Sequence, residues 1–341
     1  MRSRVFFAYS REGPAVSELV RFDGVVKKFR TPRGGRQTAL DGFSMTIPRG
    51  SLVGLLGPNG SGKTTALKVL LGLVRADQGT LRAFGHDLPR DQRFVARKMG
   101  AIIEGPAFTP SLTGHHNLRL LGELHGVKKR LVDEVLDLVG LAEAAHRSYS
   151  GYSLGMKQRL GVAAALLPSP ELLVLDEPMN GLDPEAVRDM RELLVRLQRE
   201  REMTVVVSSH ILAEVELVCD RVTIVRHGRV ICDDSVETLL ARGPARTVLR
   251  GPEVSSAREL LDAHGYSVIP AAGSELHVST SGPSSEVLRV LAEHGVFPDE
   301  IRREKASLED AYIEAVRKAD EERAQIVDTN KLSTRGRPHA S

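Results

Sequence analysis

The sequence predicts an α/β fold built on a parallel sheet, with an inserted helical subdomain and a small α+β C-terminal domain. Two observations support this fold class. Nearly continuous apolar or β-branched runs recur at residues 172–175, 204–208 and 221–226, as expected of parallel strands buried on both faces. A glycine-rich loop at residues 57–65 lies between the apolar run Leu52–Leu56 and a helix-like stretch, which is the strand–loop–helix order of a phosphate-binding unit.

The glycine-rich loop reads Gly-Pro-Asn-Gly-Ser-Gly-Lys-Thr-Thr. Its glycines let the backbone curl so that successive N–H groups face one point, while Lys63 supplies a mobile positive charge and Thr64 an oxygen for Mg²⁺. The flanking strand and helix disfavour the alternative of a glycine-rich turn with an incidental lysine. The loop therefore predicts a P-loop NTPase core and a bound nucleoside triphosphate. The loop residues expected to contact the nucleotide are Gly57, Pro58, Asn59, Gly60, Ser61, Gly62, Lys63, Thr64 and Thr65.

Changes in composition divide the chain into segments. We expect a loose N-terminal extension at residues 1–18 and the nucleotide-binding domain at residues 19–240, with a mainly helical subdomain at about residues 92–167. Residues 246–318 alternate strand and helix patterns, which predicts a small ferredoxin-like α+β domain. Residues 319–341 are charged and then rich in Ser, Thr, Arg and Pro, which predicts a disordered tail.

Composition excludes several classes of protein. The chain has 341 residues, of which 41% are hydrophobic, enough for a core in each of two domains. No stretch approaches 18 consecutive apolar residues, so we do not expect the chain to span a membrane by itself. A net charge of +3 and an aromatic content of 4% argue against a dedicated nucleic-acid surface. The two cysteines, Cys219 and Cys232, lack metal-ligand spacing.

Three polar side chains follow predicted strands and are candidates for catalysis. Residues 172–178 read Leu-Leu-Val-Leu-Asp-Glu-Pro, an apolar strand that delivers two carboxylates at its C-terminal end, where ligands bind in parallel α/β sheets. We expect Asp176 to join the Mg²⁺ shell and Glu177 to orient or deprotonate the attacking water. Acidic caps of a turn or helix are the alternative. His210 ends the next strand, where its imidazole can hydrogen-bond the γ-phosphate, although a lone histidine there is more often structural.

In this order the residues resemble the nucleotide-binding subunits of ATP-binding-cassette (ABC) transporters, over residues 19–237. The most specific part is Tyr-Ser-Leu-Gly-Met-Lys-Gln-Arg at residues 152–159, which is similar to the family signature that begins Leu-Ser-Gly-Gly-Gln. Residues 180–184, Asn-Gly-Leu-Asp-Pro, resemble the D-loop, and His210 resembles the switch histidine. Further nucleotide contacts implied by the resemblance are Phe29, which would stack on adenine where tyrosine is commoner, Ser153, Gly155 and Met156 of the signature, and Asp183 of the D-loop.

The resemblance also implies a mechanism. In the family, the signature serine, glycine and helix N-terminus form a second anion site that completes the ATP site of the facing subunit. The implied protein is an ATPase with ATP and Mg²⁺ as cofactors, a head-to-tail dimer that closes around two ATP molecules and moves a membrane partner. The implied partners are a multi-span membrane permease and a second ABC subunit, taken here as a second copy of the chain, with no nucleic acid. The implied location is peripheral, on the cytoplasmic face of the membrane.

Departures from the common family pattern point to one branch of the family. Glu104 stands where many members have glutamine, in the loop that joins the core to the helical subdomain, and its carboxylate can still face Mg²⁺ and water. The residues expected at the metal are therefore Thr64, Glu104 and Asp176. The signature carries Leu154 and Met156 in place of glycine and glutamine. Together with Glu104, this signature resembles the bacterial branch that exports peptide antibiotics and other drugs or confers self-resistance.

Two other functions remain as alternatives. A soluble ABC ATPase acting on the ribosome or DNA usually carries two cassettes or a long coiled-coil insertion, and this chain has neither. A module that holds ATP without turnover is disfavoured by the presence of Lys63, Asp176, Glu177 and His210. Residues 306–312, Ala-Ser-Leu-Glu-Asp-Ala-Tyr, resemble the end of drug-exporter cassettes, where an accessory domain follows the ATPase. That domain either supports and regulates the dimer or adds a layer of packing, and both readings stay open.

Overall fold

The computed structural model describes residues 18–32, 34–105, 108–242, 246–252, 254–270, 275–280, 282–304 and 307–335. The strands are β1 (Glu18–Arg30), β2 (Arg36–Pro48), β3 (Leu52–Leu56), β4 (Gln78–Ala83), β5 (His86–Leu88), β6 (Met99–Ile102), β7 (Leu172–Leu175), β8 (Thr204–Ser209), β9 (Arg221–Arg226), β10 (Arg229–Ser235), β11 (Arg246–Arg250), β12 (Ser267–Pro270), β13 (Glu275–Ser279) and β14 (Glu300–Glu304). The helices are α1 (Lys63–Leu70), α2 (Gln92–Ala96), α3 (Gly114–Leu124), α4 (Lys129–Leu138), α5 (Leu154–Leu166), α6 (Pro184–Arg201), α7 (Leu212–Glu216), α8 (Val236–Arg242), α9 (Val254–Ala263), α10 (Ser284–Glu293) and α11 (Leu308–Arg335).

The central sheet has the order β10-β9-β3-β8-β7-β6 and is parallel apart from β10, which pairs antiparallel with β9 at one edge. Its strands β3 and β7 carry no polar side chain and are buried along their whole length, because both faces are covered. Leu173 and Leu175 of β7 face the cluster formed with the helices α3 to α6. Leu172 and Val174 face the opposite cluster, formed with α1 and the second sheet. The predicted α/β core with a parallel sheet is confirmed.

The second sheet is antiparallel, with the order β2-β1-β4-β5, and it packs over α1. Alternate residues of β1, such as Val20 and Phe22, are buried, and Phe22 meets Phe43 of β2 edge to face with ring centroids 5.2 Å apart. The hairpin of β4 and β5 was not predicted from the sequence. Those two strands carry few apolar residues, because most of their side chains lie at the surface.

The helical subdomain begins later than expected. Residues 92–167 were expected to be mainly helical, but Met99–Ile102 form β6, which pairs with β7 in the central sheet. The strand is only four residues long and includes Gly100, so it lacks the β-branched pattern of the other core strands. A Cβ atom on Gly100 would lie 2.0 Å from the carbonyl oxygen of Ala165 in α5, so glycine is required for this close approach. The helical part proper is α3, α4 and α5, which contact one another.

The C-terminal unit, residues 246–304, has the element order β11-α9-β12-β13-α10-β14 and an antiparallel sheet of order β12-β13-β11-β14. This is the split βαβ arrangement of a ferredoxin-like fold, as predicted. Its core forms from the buried side chains of Leu249, Leu261, Leu276 and Leu291. Each of the helices α9 and α10 is followed directly by His-Gly, and the ring centroids of His264 and His294 lie 5.3 Å apart.

The two ends of the chain differ in how they compare with expectation. The loose extension expected at residues 1–18 lies outside the described residues except for Glu18, which begins β1. The expectation of a disordered tail at residues 319–341 is wrong for residues 319–335, because α11 continues to Arg335. Residues 336–341 lie outside the described part of the chain. Arg317 forms an ion pair one turn along this helix with Glu321, a spacing that supports helical structure. Within the part of the chain that the structure describes, no helix combines the length and apolar character needed to cross a bilayer.

Leu118 provides a test of the core on a helix that carries its own control. We expect Leu118→Ala to lower the free energy of unfolding by about 2–5 kcal/mol, because the side chain is 0% exposed and its removal leaves a cavity. Leu124 lies on the same helix with 82% exposure, and Leu124→Ala should change the unfolding free energy by less than about 0.5 kcal/mol. Urea denaturation of both variants makes the comparison, and equal losses would contradict the assigned burial.

Candidate active site

The phosphate loop connects the end of β3 at Leu56 to the start of α1 at Lys63. Backbone atoms of β9 and β2 lie close to it on two sides. A Cβ atom on Gly57 would lie 2.3 Å from the carbonyl oxygen of Val225 in β9. Gly62 has a φ of 115°, and a Cβ atom there would lie 2.6 Å from the carbonyl oxygen of Ala39 in β2. Because only glycine fits these two positions, the loop can lie tightly between both sheets.

Lys63 is the buried cation of the loop. Its side chain is 6% exposed, and its Nζ donates to the carbonyl oxygen of Gly57 at 2.7 Å. The same Nζ lies 3.3 Å from Oε1 of Glu177, so the charge of the lysine is balanced by the carboxylate at the end of β7. A buried ammonium beside a ring of backbone N–H groups is a site for an anion.

Ser61 gives a second indication that the loop fits a phosphate. Its residue is 4% exposed, and among the described residues its buried Oγ has no hydrogen-bond partner. A buried hydroxyl without a partner is costly unless a ligand or water satisfies it. The loop thus fits the predicted nucleotide. The side chains of Ser61 and Lys63 both lie beside the backbone of Gly57.

Asp176 and Glu177 follow β7 and are fixed by one serine of the neighbouring strand. Ser208 of β8 donates through Oγ to Oδ1 of Asp176 at 2.5 Å and accepts the N–H of Glu177 at 2.9 Å. Glu177 has a φ of 50°, the left-handed conformation that non-glycine residues rarely adopt. The carboxylate of Asp176 thus contacts Ser208, while that of Glu177 lies beside Lys63.

His210 completes the cluster from the end of β8. Its Nδ1 lies 2.8 Å from Oε2 of Glu177, and since an ionised carboxylate can only accept, Nδ1 carries the proton. The preceding Ser209 donates to Oε2 of Glu214 at 3.1 Å, which ties the segment to α7. Burial is the largest cause that raises the pKa of the Glu214 carboxyl above its usual value. The structure therefore brings together Lys63, Glu177 and His210.

Glu104 lies apart from the other expected metal ligands in this structure. Its side chain is 71% exposed and pairs with Nζ of Lys68 in α1, 2.5 Å from Oε1. Its φ of 60° marks the sharp turn after β6. Among the described residues, no hydrogen bond or ion pair joins Glu104, Thr64 and Asp176 to one another.

The signature and D-loop residues have local partners instead of the phosphate loop. Ser153 caps α5 by accepting the N–H of Met156 at 3.2 Å, and Asp183 caps α6 by accepting the N–H of Ala186 at 2.8 Å. A Cβ atom on Gly155 would lie 2.7 Å from that of Ala186, so the two helix starts approach closely. Across the described ranges, no hydrogen bond or ion pair joins these residues to residues 57–65.

Phe29 lies near the end of β1 with 41% exposure, and Nζ of Lys27 lies 5.4 Å from its ring centroid. Lys27 pairs with Leu40 across the sheet, and Leu40 is within 3.1 Å of the position of a Cβ atom on Gly62. The partly exposed ring therefore belongs to the strand pair that borders the phosphate loop.

Sequence reasoning missed two residues that hold the site. Ser208 had a usable signal, because β8 pairs in parallel with β7 and the ends of parallel neighbours meet at one edge of the sheet. Lys68 had no such signal in the sequence. It looks like an ordinary surface lysine of α1, and only the structure shows that it pairs with Glu104.

Comparisons with known proteins agree with this geometry. The sequence model of the family described as ABC transporter matches residues 40–180. A bacitracin transport ATP-binding protein of Bacillus licheniformis is 35% identical over 287 residues, 83% of this chain and 94% of that protein. A lantibiotic transport ATP-binding protein of Streptococcus pyogenes is 40% identical over 58% of this chain and 85% of that protein. A dimeric ATP-binding cassette solved in a post-hydrolysis state with ADP and Pi has a TM-score of 0.58 and 24% identity, covering 64% of this chain and 98% of that one, a likeness of fold.

Ser208 is expected to be important for stability as well as for the site. We expect Ser208→Ala to lower the free energy of unfolding by about 1–3 kcal/mol, because Ser208 is fully buried and its loss leaves the part-buried Glu177 N–H without its partner. Ser44→Ala is the control, since that hydroxyl accepts a backbone N–H at an exposed site. Chemical denaturation of both variants measures the difference, and an unchanged stability of Ser208→Ala would contradict the assigned role.

Proposed function

The chain belongs to the ATP-binding proteins of ABC transporters, and we propose that it powers an exporter of peptide antibiotics or related drugs. As a member of this family it binds Mg-ATP and hydrolyses it. The observation that carries the proposal is the contact of Glu177 with both Lys63 and His210 at the edge of the parallel sheet. These are the groups that phosphoryl transfer to water needs: a cation at the phosphates, a carboxylate for the water and an orienting imidazole.

We assign the following roles within one subunit. The N–H groups of residues 57–65 and the Lys63 ammonium bind the phosphates. Thr64 and Asp176 hold Mg²⁺, which neutralises charge on the phosphate oxygens when it is bound. Glu177 accepts a proton from the attacking water or orients it, and His210 holds the Glu177 carboxylate through Nδ1. Phe29 stacks on the adenine through its exposed face.

A second copy of the chain completes each site in this proposal. The signature helix α5 begins with the capping Ser153 and with first-turn N–H groups that have no carbonyl partner in the helix, a combination that attracts anions. Among the described residues no hydrogen bond or ion pair links it to the phosphate loop. The rigid caps at Ser153 and Asp183 keep this surface in shape for a facing nucleotide. Two ATP molecules between two subunits would then act as ligand and as the contact that closes the dimer.

The membrane permease is proposed to dock beside the loop at residues 104–112, on the cytoplasmic face of the membrane. Asn117, which is 4% exposed, accepts the N–H of Thr109 at 2.9 Å and donates to the carbonyl oxygens of Thr109 and Thr113 at 3.1 Å and 3.0 Å. These bonds hold the described part of the loop on α3, so a pull on the loop moves the helical subdomain. Relatives named for transport of bacitracin and lantibiotics support this partner class over the alternative of a soluble cassette ATPase acting on ribosome or DNA.

The Glu177→Gln variant tests the proposal. We expect it to lose steady ATP hydrolysis by at least about 100-fold while still binding ATP, because glutamine keeps the shape but cannot take a proton. Blocked turnover should let an ATP-bound dimer accumulate in size-exclusion chromatography with Mg-ATP. Glu185→Gln, an exposed carboxylate in the first turn of α6, is the control and should hydrolyse like the wild type.

The same variant serves in a mild-detergent pull-down from the native cell. Recovery of a multi-span membrane protein with the trapped dimer supports the transporter. Recovery of ribosomes or DNA-repair proteins without a membrane protein would replace it with the soluble cassette ATPase. Hydrolysis by Glu177→Gln at the wild-type rate would remove the assigned role of that carboxylate.

Glu104 is expected to have a role at the metal and in coupling to the permease. We expect Glu104→Ala to lower the ATPase rate about tenfold, because it removes the carboxylate that pairs with Lys68 of α1, the helix that follows the phosphate loop. Glu104→Gln should lose less, since the amide oxygen can still accept. Glu123→Ala, an exposed carboxylate on α3, is the control. Unchanged hydrolysis and transport in Glu104→Ala would exclude both a metal and a coupling role.

A further inference from the structure

The rear of the phosphate loop borders a cavity of about 360 Å³. Residues 57–59 of the loop, His210 and Leu212 line it, and they belong to the cassette. Tyr312 also lines it, and this residue comes from α11, the helix that follows the C-terminal unit. A side chain from outside the cassette therefore stands beside both the phosphate loop and the switch histidine.

The start of α11 is fixed to the cassette. Leu308 is 0% exposed within the core cluster of the cassette, and Tyr312, one turn further, packs against the same cluster. The N–H of Leu308 donates to Oε2 of Glu216 at 2.8 Å, which places a carboxylate at the N-terminus of a long helix, where it is electrostatically favoured. Ser307 and Asp310 bond each other in a capping box, so this end of the helix is well defined.

The cassette elements that hold α11 are those that support the phosphate loop. Glu216 ends α7, which begins two residues after His210. A Cβ atom on Gly54, in the strand leading to the loop, would lie 2.3 Å from Cγ1 of Val215, the neighbour of Glu216. Asp320, two turns beyond Tyr312, pairs at 3.0 Å with Arg226, the residue after the Val225 that meets Gly57.

The same helix is joined to the C-terminal unit. Asp310 pairs with Arg246, the first residue of β11, and both side chains are mostly buried. One turn of α11 thus carries an ion pair to the C-terminal unit on one side and Tyr312 in the cavity on the other. A displacement of the unit would reach the site through this turn, because close-packed elements move together.

We propose that Tyr312 is a positioning residue for ATP hydrolysis, its ring forming one wall of the cavity that the phosphate loop and His210 also line. The C-terminal unit then sets the turnover rate of the cassette through α11. This inference rests on the proposed function, since it assigns a control element to the same ATP site. It favours regulation over a mere packing layer for the accessory domain.

Steady-state ATP hydrolysis by the full chain tests the inference. We expect Tyr312→Ala to lower kcat about tenfold with KM for ATP changed less than about threefold, because a small misplacement of the reacting groups affects turnover more than binding. Tyr312→Phe should retain kcat within about twofold, since the ring supplies the wall. Ile313→Ala, on the same helix with 57% exposure, is the matched control and should match the wild type.

Thermal unfolding of each variant separates positioning from folding. A loss of kcat in Tyr312→Ala at an unchanged melting temperature, restored in Tyr312→Phe, supports the inference. Unchanged kcat in Tyr312→Ala, or an equal loss in Ile313→Ala, overturns it. If Tyr312→Ala does not fold, Tyr312→Leu and Glu216→Ala replace it: a lower kcat in both supports the inference, and wild-type kcat in both overturns it.

The failure of this inference is distinguishable from failure of the proposed function. A wild-type chain that hydrolyses ATP, with Glu177→Gln inactive and Tyr312→Ala fully active, overturns the role of Tyr312 alone. A wild-type chain without any hydrolysis overturns both, because no turnover is then left to be positioned.

Discussion

The contact on which the site depends is the carboxylate of Glu177 between a lysine ammonium and a histidine ring. One oxygen lies 3.3 Å from Nζ of Lys63, and the other 2.8 Å from Nδ1 of His210. The lysine is nearly buried, so without this partner its charge would be costly. The phosphate loop, the end of β7 and the end of β8 are thus fixed to one another before any nucleotide is present.

That contact is possible because of the parallel sheet. Parallel strands present their carboxyl ends along a single edge, so β3, β8 and β7 deliver the loop, His210 and Glu177 to one place. Ser208 fixes the two acidic residues, since its hydroxyl donates to the Asp176 carboxylate and accepts the backbone N–H of Glu177. The left-handed turn at Glu177 lets two adjacent carboxylates serve different tasks.

The subunit also presents surfaces that its own ATP site does not use. The starts of α5 and α6 are capped and closely packed, which suits a rigid surface offered to a second subunit. On the far side, α11 connects the ferredoxin-like unit to α7 and β9, the elements behind the phosphate loop.

The sequence by itself determined the phosphate loop, the acidic pair at 176–177, His210 and the parallel core strands, because each depends on local spacing and on buried apolar runs. It also determined the alternating elements of the C-terminal unit. Only the tertiary structure decided the strand role of Met99–Ile102, the contacts of Ser208 and Lys68, and the place of Tyr312 beside the loop. These depend on pairings between residues far apart in the chain, which no local pattern encodes.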